Sequence, residues 1–533
     1  MISLCLSEQE LLGYAAALGA ADVPGISAFE KQLLLRASAV PARAASTIRE
    51  QIRAGEDPLG EAFSALRTPE VRRPVGATYT PLPIVQAMVG WARQQPEPEQ
   101  VVDPGVGSAR FLLEAGKRFP RALLIGSEID PTAALVARAN LAAAGLAGRA
   151  RVELVDYREL NLPRTAGRTL YVGNPPYVRH HLLSPVWKAW LAENAALLGL
   201  AASKLAGLHV YFFLKTALIA RPGDTGVFIT AAEWLDVNYG QLVRELFLER
   251  LGGRSLLLID PAAQPFPDAA TTAVITTFRV GDKPPSVSLR RADDLGCLAP
   301  VGFGAPVRRE RLATEHRWTH LLRGPKQLPE GYVQLGELCR VHRGQVTGAN
   351  RVWIAGPNSV GLPESVLFPT VTRARELFDS NGILSNADRL KRVIDLPVDL
   401  NELSMEERGP VDLFLRWART VGADQGYIAR HRRAWWAVGL RRPPPILATY
   451  MARRPPAFVR NAAGARHINI AHGIYPRDEM GSETIKRLAA YLVSASRDAI
   501  GRTYAGGLMK FEPREMERIP VPGPDLLLAG VST

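Results

Sequence analysis

Cysteine is scarce in this sequence of 533 residues. The three cysteines, Cys5, Cys297 and Cys339, are far apart and form no CxxC spacing. This excludes a disulfide framework and a zinc site built on paired cysteines. We interpret each of them as a small core residue.

Long apolar runs are also lacking. Runs such as 210–214 and 256–259 are far shorter than the roughly 20 residues that span a bilayer. The N-terminus has no basic leader and carries Glu8 and Glu10 inside its apolar stretch, which argues against a signal peptide. We therefore expect a cytoplasmic protein that does not bind a membrane.

The charge is unevenly distributed along the chain. Residues 301–533 contain 34 Lys and Arg against 23 Asp and Glu, whereas residues 1–300 contain 31 against 29. Most of the excess is arginine, which binds phosphate bidentately, so the sequence predicts a polyanionic partner for the C-terminal part. A coding bias toward arginine is the alternative, but it would not obviously favour one half of the chain.

Three regions differ in their patterning. Residues 1–74 are rich in Ala and Leu at helical spacing and predict a small helical segment. From about 75 to 290, short apolar strands alternate with amphipathic helices, which predicts an α/β domain with a mainly parallel sheet and helices on both faces. In residues 300–533 the alternation is lost and Pro, Arg and Trp are frequent, which indicates a second domain of mixed α+β structure. We predict strands near 100–103, 122–128, 151–155, 169–173, 225–231, 254–260 and 272–279, and helices over 108–119, 131–144, 207–221 and 237–251.

Acidic and glycine residues are concentrated where the predicted strands end. The first strand ends in Asp103 and is followed by a turn that contains Gly105 and Gly107, where the backbone can approach a ligand closely. The second ends at Glu128, where a carboxylate could accept hydrogen bonds from a ribose diol, and the third ends at Asp156. Each carboxylate alone could equally be a helix cap. Three in succession favour a ligand site outside the carboxyl ends of the strands.

Two further motifs flank this region. In GATYTP, Thr80 and Pro81 are arranged as an N-cap and first helical residue. In QPFPDAATTAVITTF, Phe266 lies between two prolines ahead of a strand, and a lone Phe is more often a core residue than a site residue.

In order along the chain, GATYTP, DPGVGSARFL, GSEIDP, LVDYREL, GNPPY and FPDAATTAVITTF resemble the motifs of S-adenosylmethionine-dependent DNA adenine-N6 methyltransferases. The match is to the TaqI-like (gamma, NPPY) group, whose target-recognition domain is C-terminal. It is strong over about 75–280 and looser beyond. The resemblance implies a Rossmann-like class I methyltransferase sheet in residues 75–290, S-adenosylmethionine as cofactor, and a domain in residues 300–533 that binds double-stranded DNA.

The resemblance also assigns the catalytic residues. The Asn174 side-chain oxygen and the Pro175 carbonyl are expected to accept the two hydrogens of the adenine amine. Pro175 and Pro176 fix the backbone and contribute no N–H, so the turn is rigid and its carbonyls are free to accept. The target base must leave the duplex stack before it reacts. Tyr177 is expected to stack on the extruded base and Phe266 to close its other face.

The remaining assignments concern the cofactor and the DNA. Asp103, the 105–107 turn, Thr78 and Thr80 are expected around the methionine part of the cofactor, Glu128 at its ribose and Asp156 at its adenine amine. The full expected cofactor set is Thr78, Thr80, Asp103, Gly105, Gly107, Glu128, Asp156 and Asn174. The expected DNA contacts are Arg179, Arg343, Arg432, Arg433, Trp435, Arg441 and Arg442, any one of which could instead belong to a solvated basic face or to a core. No metal is expected.

Several alternatives stay open. Cytosine carbon-5 methylation is excluded, because it needs a Pro-Cys nucleophile and no cysteine here follows a proline. Cytosine-N4 methylation uses the same physics but usually shows Ser in place of Asn174. A catalytically silent DNA-binding subunit is a second alternative. We find no convincing PD…ExK nuclease site and therefore expect no DNA cleavage by this chain. The chain is expected to be a monomer. Association with a separate restriction nuclease or a defence partner is left open.

Overall fold

The chain forms two compact units, Met1–Pro325 and Lys326–Thr533. In this computed structural model the described residues are 7–67, 80–163, 165–260, 263, 266, 272–323, 328–452, 454–495, 502–504 and 508–529. Thr78, expected in the cofactor set, lies outside them. No helix in the described part of the chain is long and apolar enough to cross a membrane.

The first unit is built on a nine-stranded sheet. Its strands are β1 Gln100–Asp103, β2 Leu123–Glu128, β3 Ala150–Leu154, β4 Thr169–Gly173, β5 Thr225–Ala231, β6 Gly253–Ile259, β7 Ala273–Arg279, β8 Ser286–Ala292 and β9 Ala305–Arg308. Their order is β3-β2-β1-β4-β5-β7-β6-β8-β9. The strands from β3 to β5 in this order are parallel, and β7 is antiparallel to both β5 and β6.

Eleven α-helices of the described residues belong to this unit. They are α1 Glu8–Ala17, α2 Ala28–Leu35, α3 Ala42–Ala54, α4 Pro58–Leu66, α5 Leu82–Ala92, α6 Arg110–Arg118, α7 Pro131–Ala143, α8 Pro185–Leu197, α9 Leu208–Ile219, α10 Gln241–Glu245 and α11 Arg309–Thr314. A π-helical turn over Leu246–Arg250 continues α10.

Alternate residues of the strands enter two separate cores, as the two-residue period of a strand requires. Val101 and Leu170 pack in the core that contains residues of α5, α6 and α7. Val102 and Tyr171 pack in the core that contains residues of α9 and α10. The predicted α/β sheet with helices on both faces is therefore confirmed.

The N-terminal helices pack on α7 through a core of their own, which joins residues such as Leu11 and Ile48 to Leu135 and Val136. Their starts are fixed locally, because Ser7 and Ser27 form capping boxes with the glutamates three residues later. The predicted helical segment is thus part of the first compact unit.

Two details differ from the sequence predictions. Pro81, in an extended conformation, is the N-cap of α5, so the helix begins at Leu82 and Thr80 does not cap it. The hydroxyl of Thr80 is instead engaged by Asn174. Helix α8 was not predicted, although Ser184 caps it and Pro185 is its first residue.

The first unit also continues past residue 300, where we expected the second domain to begin. Strand β9 pairs with β8, and Trp318 is fully buried with its ring centroid 6.0 Å from Trp234 and 6.1 Å from Phe247. The indole N–H of Trp318 donates to the Leu312 carbonyl at 3.0 Å. Pairing and burial therefore hold this segment in the first unit.

Among its described residues, the second unit combines four small sheets with helices. The strands are β10 Tyr332–Gln334, β11 Cys339–Arg343, β12 Leu367–Val371, β13 Ile383–Leu384, β14 Arg392–Ile394, β15 Ile446–Thr449, β16 Met451–Ala452, β17 Phe458–Asn461, β18 Arg466–His467, β19 Ala471–Pro476, β20 Arg502–Tyr504, β21 Leu508–Lys510 and β22 Pro520–Pro522. They form the sheets β11-β19-β15-β17-β13, β14-β12-β18, β16-β21-β20 and β10-β22. The helices are α12 Leu335–Leu338, α13 Asn350–Trp353, α14 Ala374–Phe378, α15 Met405–Thr420, α16 Tyr427–Arg430, α17 Ser482–Ala495, α18 Pro513–Met516 and α19 Pro524–Ala529. Mixed α and β structure is as predicted.

Candidate active site

A single cavity in the first unit brings together most of the predicted cofactor residues. It lies where β1 to β4 end, the position at which parallel α/β sheets bind ligands. Predicted residues that line it are Thr80, Gly105, Gly107, Glu128, Asp156, Asn174 and Pro176. Phe63 of α4 and Arg67, the residue after α4, also line it and were not predicted.

The turn after β1 has the open backbone that its glycines predict. Gly107 has a φ of +52°, in the left-handed region that glycine adopts without strain. A Cβ placed on Gly105 would lie 4.0 Å from both the Asn174 carbonyl oxygen and Pro176 Cδ. It would occupy the space between the turn and the residues that follow β4, so glycine keeps this space open for a ligand.

Asp103 lies beneath the turn and does not line the cavity. Its side chain is fully buried and one oxygen accepts from the Gly105 N–H at 3.3 Å, while the other has no hydrogen-bond partner among the described residues. Burial raises the pKa of Asp103 to about 8; the hydrogen bond opposes the rise and the nearby Glu128 carboxylate adds to it. Its expected contact with the cofactor stays a prediction.

Glu128 is held at the mouth of the turn by three backbone donors. Its carboxylate accepts from the N–H groups of Ile129 at 2.8 Å, Asp130 at 3.1 Å and Gly107 at 3.0 Å. Burial raises its pKa, and these three hydrogen bonds oppose the rise. An oriented carboxylate with remaining lone pairs can accept from a vicinal diol, which fits the predicted ribose contact.

Asp156 is paired with Arg158, which sequence reasoning missed. The Arg158 guanidinium donates to both carboxylate oxygens, at 2.8 and 2.5 Å, and lies 3.4 Å from the ring centroid of Trp187. This bidentate pair fixes the carboxylate at the end of β3. Arg158 follows Asp156 by two residues in LVDYREL, but its contact with Trp187 of α8 could not be foreseen without the fold.

Asn174 follows β4 and is oriented by Thr80. The Asn174 Nδ2 donates to Thr80 Oγ1 at 3.1 Å, and the Thr80 carbonyl accepts from Arg110 at 3.0 Å. This contact orients the carboxamide with its nitrogen toward Thr80 and its oxygen away from it.

The two aromatic residues expected around a target base are brought together. The rings of Tyr177 and Phe266 meet edge to face, with centroids 5.7 Å apart and an interplanar angle of 72°. Phe266 is buried, and the Tyr177 hydroxyl has no hydrogen-bond partner among the described residues. Burial raises the pKa of Tyr177 well above its usual value, so the phenol is neutral.

The expected DNA contacts fall into two groups. Arg179, Arg343, Arg433, Arg441 and Arg442 are exposed, as contact with phosphates requires. The other two are partly buried: Arg432 donates to the Val346 carbonyl at 2.7 Å, and Trp435 packs 6.1 Å from Trp353 and 5.8 Å from Trp436. Packing explains these two positions, and contact with DNA remains a prediction for all seven. The part of the chain that the structure describes contains no cluster of three or more His, Cys, Asp or Glu that could hold a metal ion.

Comparison with known proteins identifies the family. Residues 57–202 match the family described as N-6 DNA Methylase, and residues 319–530 match the C-terminal domain of the type II methyltransferase M.Eco57I. The chain is 50% identical to the type II methyltransferase M.XamI of Xanthomonas campestris pv. amaranthicola, over 97% of this chain and 98% of that protein. The chain belongs to the type II DNA methyltransferases. It is a site-specific methyltransferase that uses S-adenosylmethionine, and the turn, the carboxylates and the cavity described above fit this cofactor.

More distant relatives agree with this methyltransferase assignment. The chain is 22% identical to the type II methyltransferase M.AccI of Acinetobacter calcoaceticus, over 84% of this chain and 85% of that protein. Among solved structures, the type IIG restriction endonuclease BpuSI matches with a TM-score of 0.51 at 15% identity, over 97% of this chain and 71% of that one. The latter similarity concerns the fold alone.

Proposed function

We propose that this methyltransferase transfers the methyl group to the N6 amine of an adenine that has left the DNA duplex. The observation that carries the proposal is Asn174, which is oriented by Thr80 at the end of β4, on the cavity that holds the glycine turn. An Asn followed by two prolines presents a carboxamide oxygen and a carbonyl from a rigid backbone without competing N–H donors.

The chemistry follows from the geometry of these acceptors. The adenine amine is a poor nucleophile because its lone pair is delocalised into the ring. Two acceptors, the Asn174 side-chain oxygen and the Pro175 carbonyl, can bind both amine hydrogens and draw the nitrogen toward a tetrahedral shape. S-adenosylmethionine supplies the electrophilic methyl group. Positioning and electrostatics then suffice, and no covalent enzyme intermediate is needed.

The aromatic pair supports base extrusion. Tyr177 follows Asn174 by three residues and Phe266 precedes β7, and their rings are in contact. A base can stack on these rings once this edge-to-face contact opens. Stacking on such a ring contributes roughly 1 to 3 kcal/mol per base by analogy with single-strand binding. The pair can thus offset part of the unstacking energy that base extrusion requires.

The test is methyl transfer by the wild-type enzyme and by Asn174→Ala. Genomic DNA from a host that expresses each protein is digested to nucleosides, and the modified base is identified by mass spectrometry and located by sequencing. We expect N6-methyladenine at one defined sequence with wild type and none with Asn174→Ala. N4-methylcytosine would overturn the adenine assignment, and a modification that persists in Asn174→Ala would remove Asn174 from the mechanism. The variant should still bind duplex DNA, which separates it from a misfolded protein.

We also propose that the chain acts as a monomer and that any cleavage comes from a separate nuclease. Light scattering after size exclusion should give a mass near 58.1 kDa. Incubation of unmodified DNA with Mg²⁺ should leave it intact. A dimer in the first measurement, or cutting in the second, would contradict this proposal.

A further inference from the structure

Asp57, the residue before α4, accepts more hydrogen bonds than its position as a helix cap requires. Its side chain is only 8% exposed. One carboxylate oxygen accepts from the Gly60 N–H at 2.9 Å, which is the ordinary capping contact, and from Asn140 Nδ2 at 2.9 Å. The other oxygen accepts from Ser108 Oγ at 2.5 Å and from Arg110 Nε at 2.7 Å. Three of the four donors therefore lie outside α4.

These outside donors hold the segment that follows the glycine turn. Ser108 and Arg110 come directly after Gly107 and line the cavity. Asn140 of α7 donates to the Ser108 carbonyl at 2.9 Å as well as to Asp57. The carboxylate thus joins α4 and α7 to the backbone on which the cofactor site depends.

The contacts continue from Asp57 to Asn174. Arg110 donates to Asp57 through Nε and to the Thr80 carbonyl through Nη1, at 3.0 Å. The hydroxyl of Thr80 then accepts from Asn174 Nδ2 at 3.1 Å. Two residues therefore separate the start of α4 from the carboxamide that we place on the adenine amine.

Only a carboxylate can satisfy this arrangement. Each of its oxygens accepts two hydrogen bonds, and the contact with Arg110 is assisted by charge. A carboxamide has a single acceptor oxygen, so its NH₂ group would face either Ser108 and Arg110 or Gly60 and Asn140. The Ser108 hydroxyl could turn to accept, but the Arg110 guanidinium and the Gly60 N–H can only donate. Asn is nevertheless as good a helix cap as Asp. Asp57→Asn should therefore keep the capping of α4 and weaken the contacts that hold the cofactor turn.

We infer that Asp57 is a positioning residue for methyl transfer, which holds the cofactor turn and, through Arg110 and Thr80, the carboxamide of Asn174. The inference rests on the active site proposed above. It gives the N-terminal helices a role in the reaction, since Phe63 of α4 and Arg67, which follows α4, also line the cavity.

The experiment measures S-adenosylmethionine affinity by isothermal titration calorimetry on the full chain, with kcat at saturating cofactor as a second readout. We expect Asp57→Asn to weaken affinity about tenfold or more and to lower kcat by a similar factor, as expected for the loss of charge-assisted hydrogen bonds. Both are measured well below the melting temperature of every variant, so that all are folded.

Glu30→Gln is the matched control. Glu30 of α2 pairs with Arg138 of α7 at 2.8 Å, and both side chains are fully buried. This pair ties the same N-terminal helices to the same helix α7 but touches neither the turn nor Thr80. Its loss should lower the melting temperature while affinity and kcat stay within about twofold of wild type.

The outcomes are distinct. The inference is overturned if Asp57→Asn keeps wild-type affinity and kcat. It is also overturned if Asp57→Asn and Glu30→Gln lose affinity and kcat to the same extent. If Asp57→Asn does not fold, Asp57→Ser keeps a capping oxygen without the second acceptor, and the same expectation applies to it. Glu128→Gln tests the site itself: wild-type affinity in that variant would remove the proposed site, whatever Asp57→Asn shows.

Discussion

The Thr80 hydroxyl orients the carboxamide of Asn174, because it accepts a hydrogen bond from Asn174 Nδ2 at 3.1 Å. Thr80→Val removes this acceptor and with it one contact that orients the carboxamide. We expect the rate of methyl transfer to fall about fivefold, since one hydrogen bond contributes roughly 1 kcal/mol and 1.4 kcal/mol corresponds to a factor of ten. Single-turnover kinetics with labelled S-adenosylmethionine measure this rate directly.

Thr80→Ser is the control for this prediction, because it keeps the hydroxyl and loses only a methyl group. It should retain a rate within about threefold of wild type. A wild-type rate in Thr80→Val would show that Asn174 is oriented by other contacts.

Asp103 makes the stability of the protein depend on pH. Burial raises its pKa to about 8, whereas an Asp in an unfolded chain titrates near about 3.9. Between these values the folded protein keeps a proton that the unfolded chain loses. The contribution of Asp103 to the free energy of unfolding is therefore greatest below about pH 4 and is lost as the pH rises toward about 8.

Asp103→Asn should remove this dependence, because a carboxamide resembles the protonated carboxyl in shape and does not ionise. The free energy of unfolding of the variant relative to wild type should rise by up to about 1.4 kcal/mol per pH unit between about pH 5 and 8. Urea unfolding at several pH values without cofactor measures the difference. A difference that does not change with pH would show that Asp103 is ionised throughout this range.

The residue types at the strand ends were predictable from sequence, but their partners were not. Four polar residues end or follow parallel strands whose apolar pattern is clear, so their proximity to one another follows from parallel pairing: Asp103, Glu128, Asp156 and Asn174. Arg158 lies in the turn after β3, and its contacts were missed because its stacking partner Trp187 lies on helix α8. Such contacts join distant parts of the chain and leave no local pattern.

At the scale of elements, β9 and α11 complete the first unit through Trp318, which is fully buried against Trp234 and Phe247. Trp318→Ala should lower the free energy of unfolding of this unit by about 3 to 5 kcal/mol, because it leaves a large cavity and removes two aromatic contacts. Urea unfolding followed by circular dichroism measures the loss.

Phe303 supplies the comparison, since it belongs to the same segment but is 61% exposed. Phe303→Ala should change the free energy of unfolding by no more than about 0.5 kcal/mol. If Trp318→Ala were equally mild, the segment after residue 300 would not belong to the core of the first unit.

Element prediction succeeded where the apolar pattern was strong and failed at the edge of the sheet. The strands from β1 to β7 were predicted to within a few residues because all but β3 are buried on both faces and read as apolar runs. Strand β9 is largely exposed, with no buried residue in Ala305–Arg308, so nothing in its sequence indicated a strand. The domain boundary was therefore placed about 25 residues too early.

At the scale of the whole molecule, the excess of positive charge in residues 301–533 predicts binding to DNA that depends strongly on salt. Each phosphate contact that is lost should reduce the slope of log K against log salt concentration by about 0.9. Arg433→Gln and Arg441→Gln, at two exposed positions, should each show this reduction on the full chain.

Arg121→Gln is the control for this prediction. Arg121 lies just before β2, at the end of the sheet opposite the active site, and its side chain is 83% exposed and pairs with Glu97. Fluorescence anisotropy with a labelled duplex between about 50 and 200 mM salt measures the slopes, and equal slopes in wild type and both variants would show that these two arginines contact no phosphate.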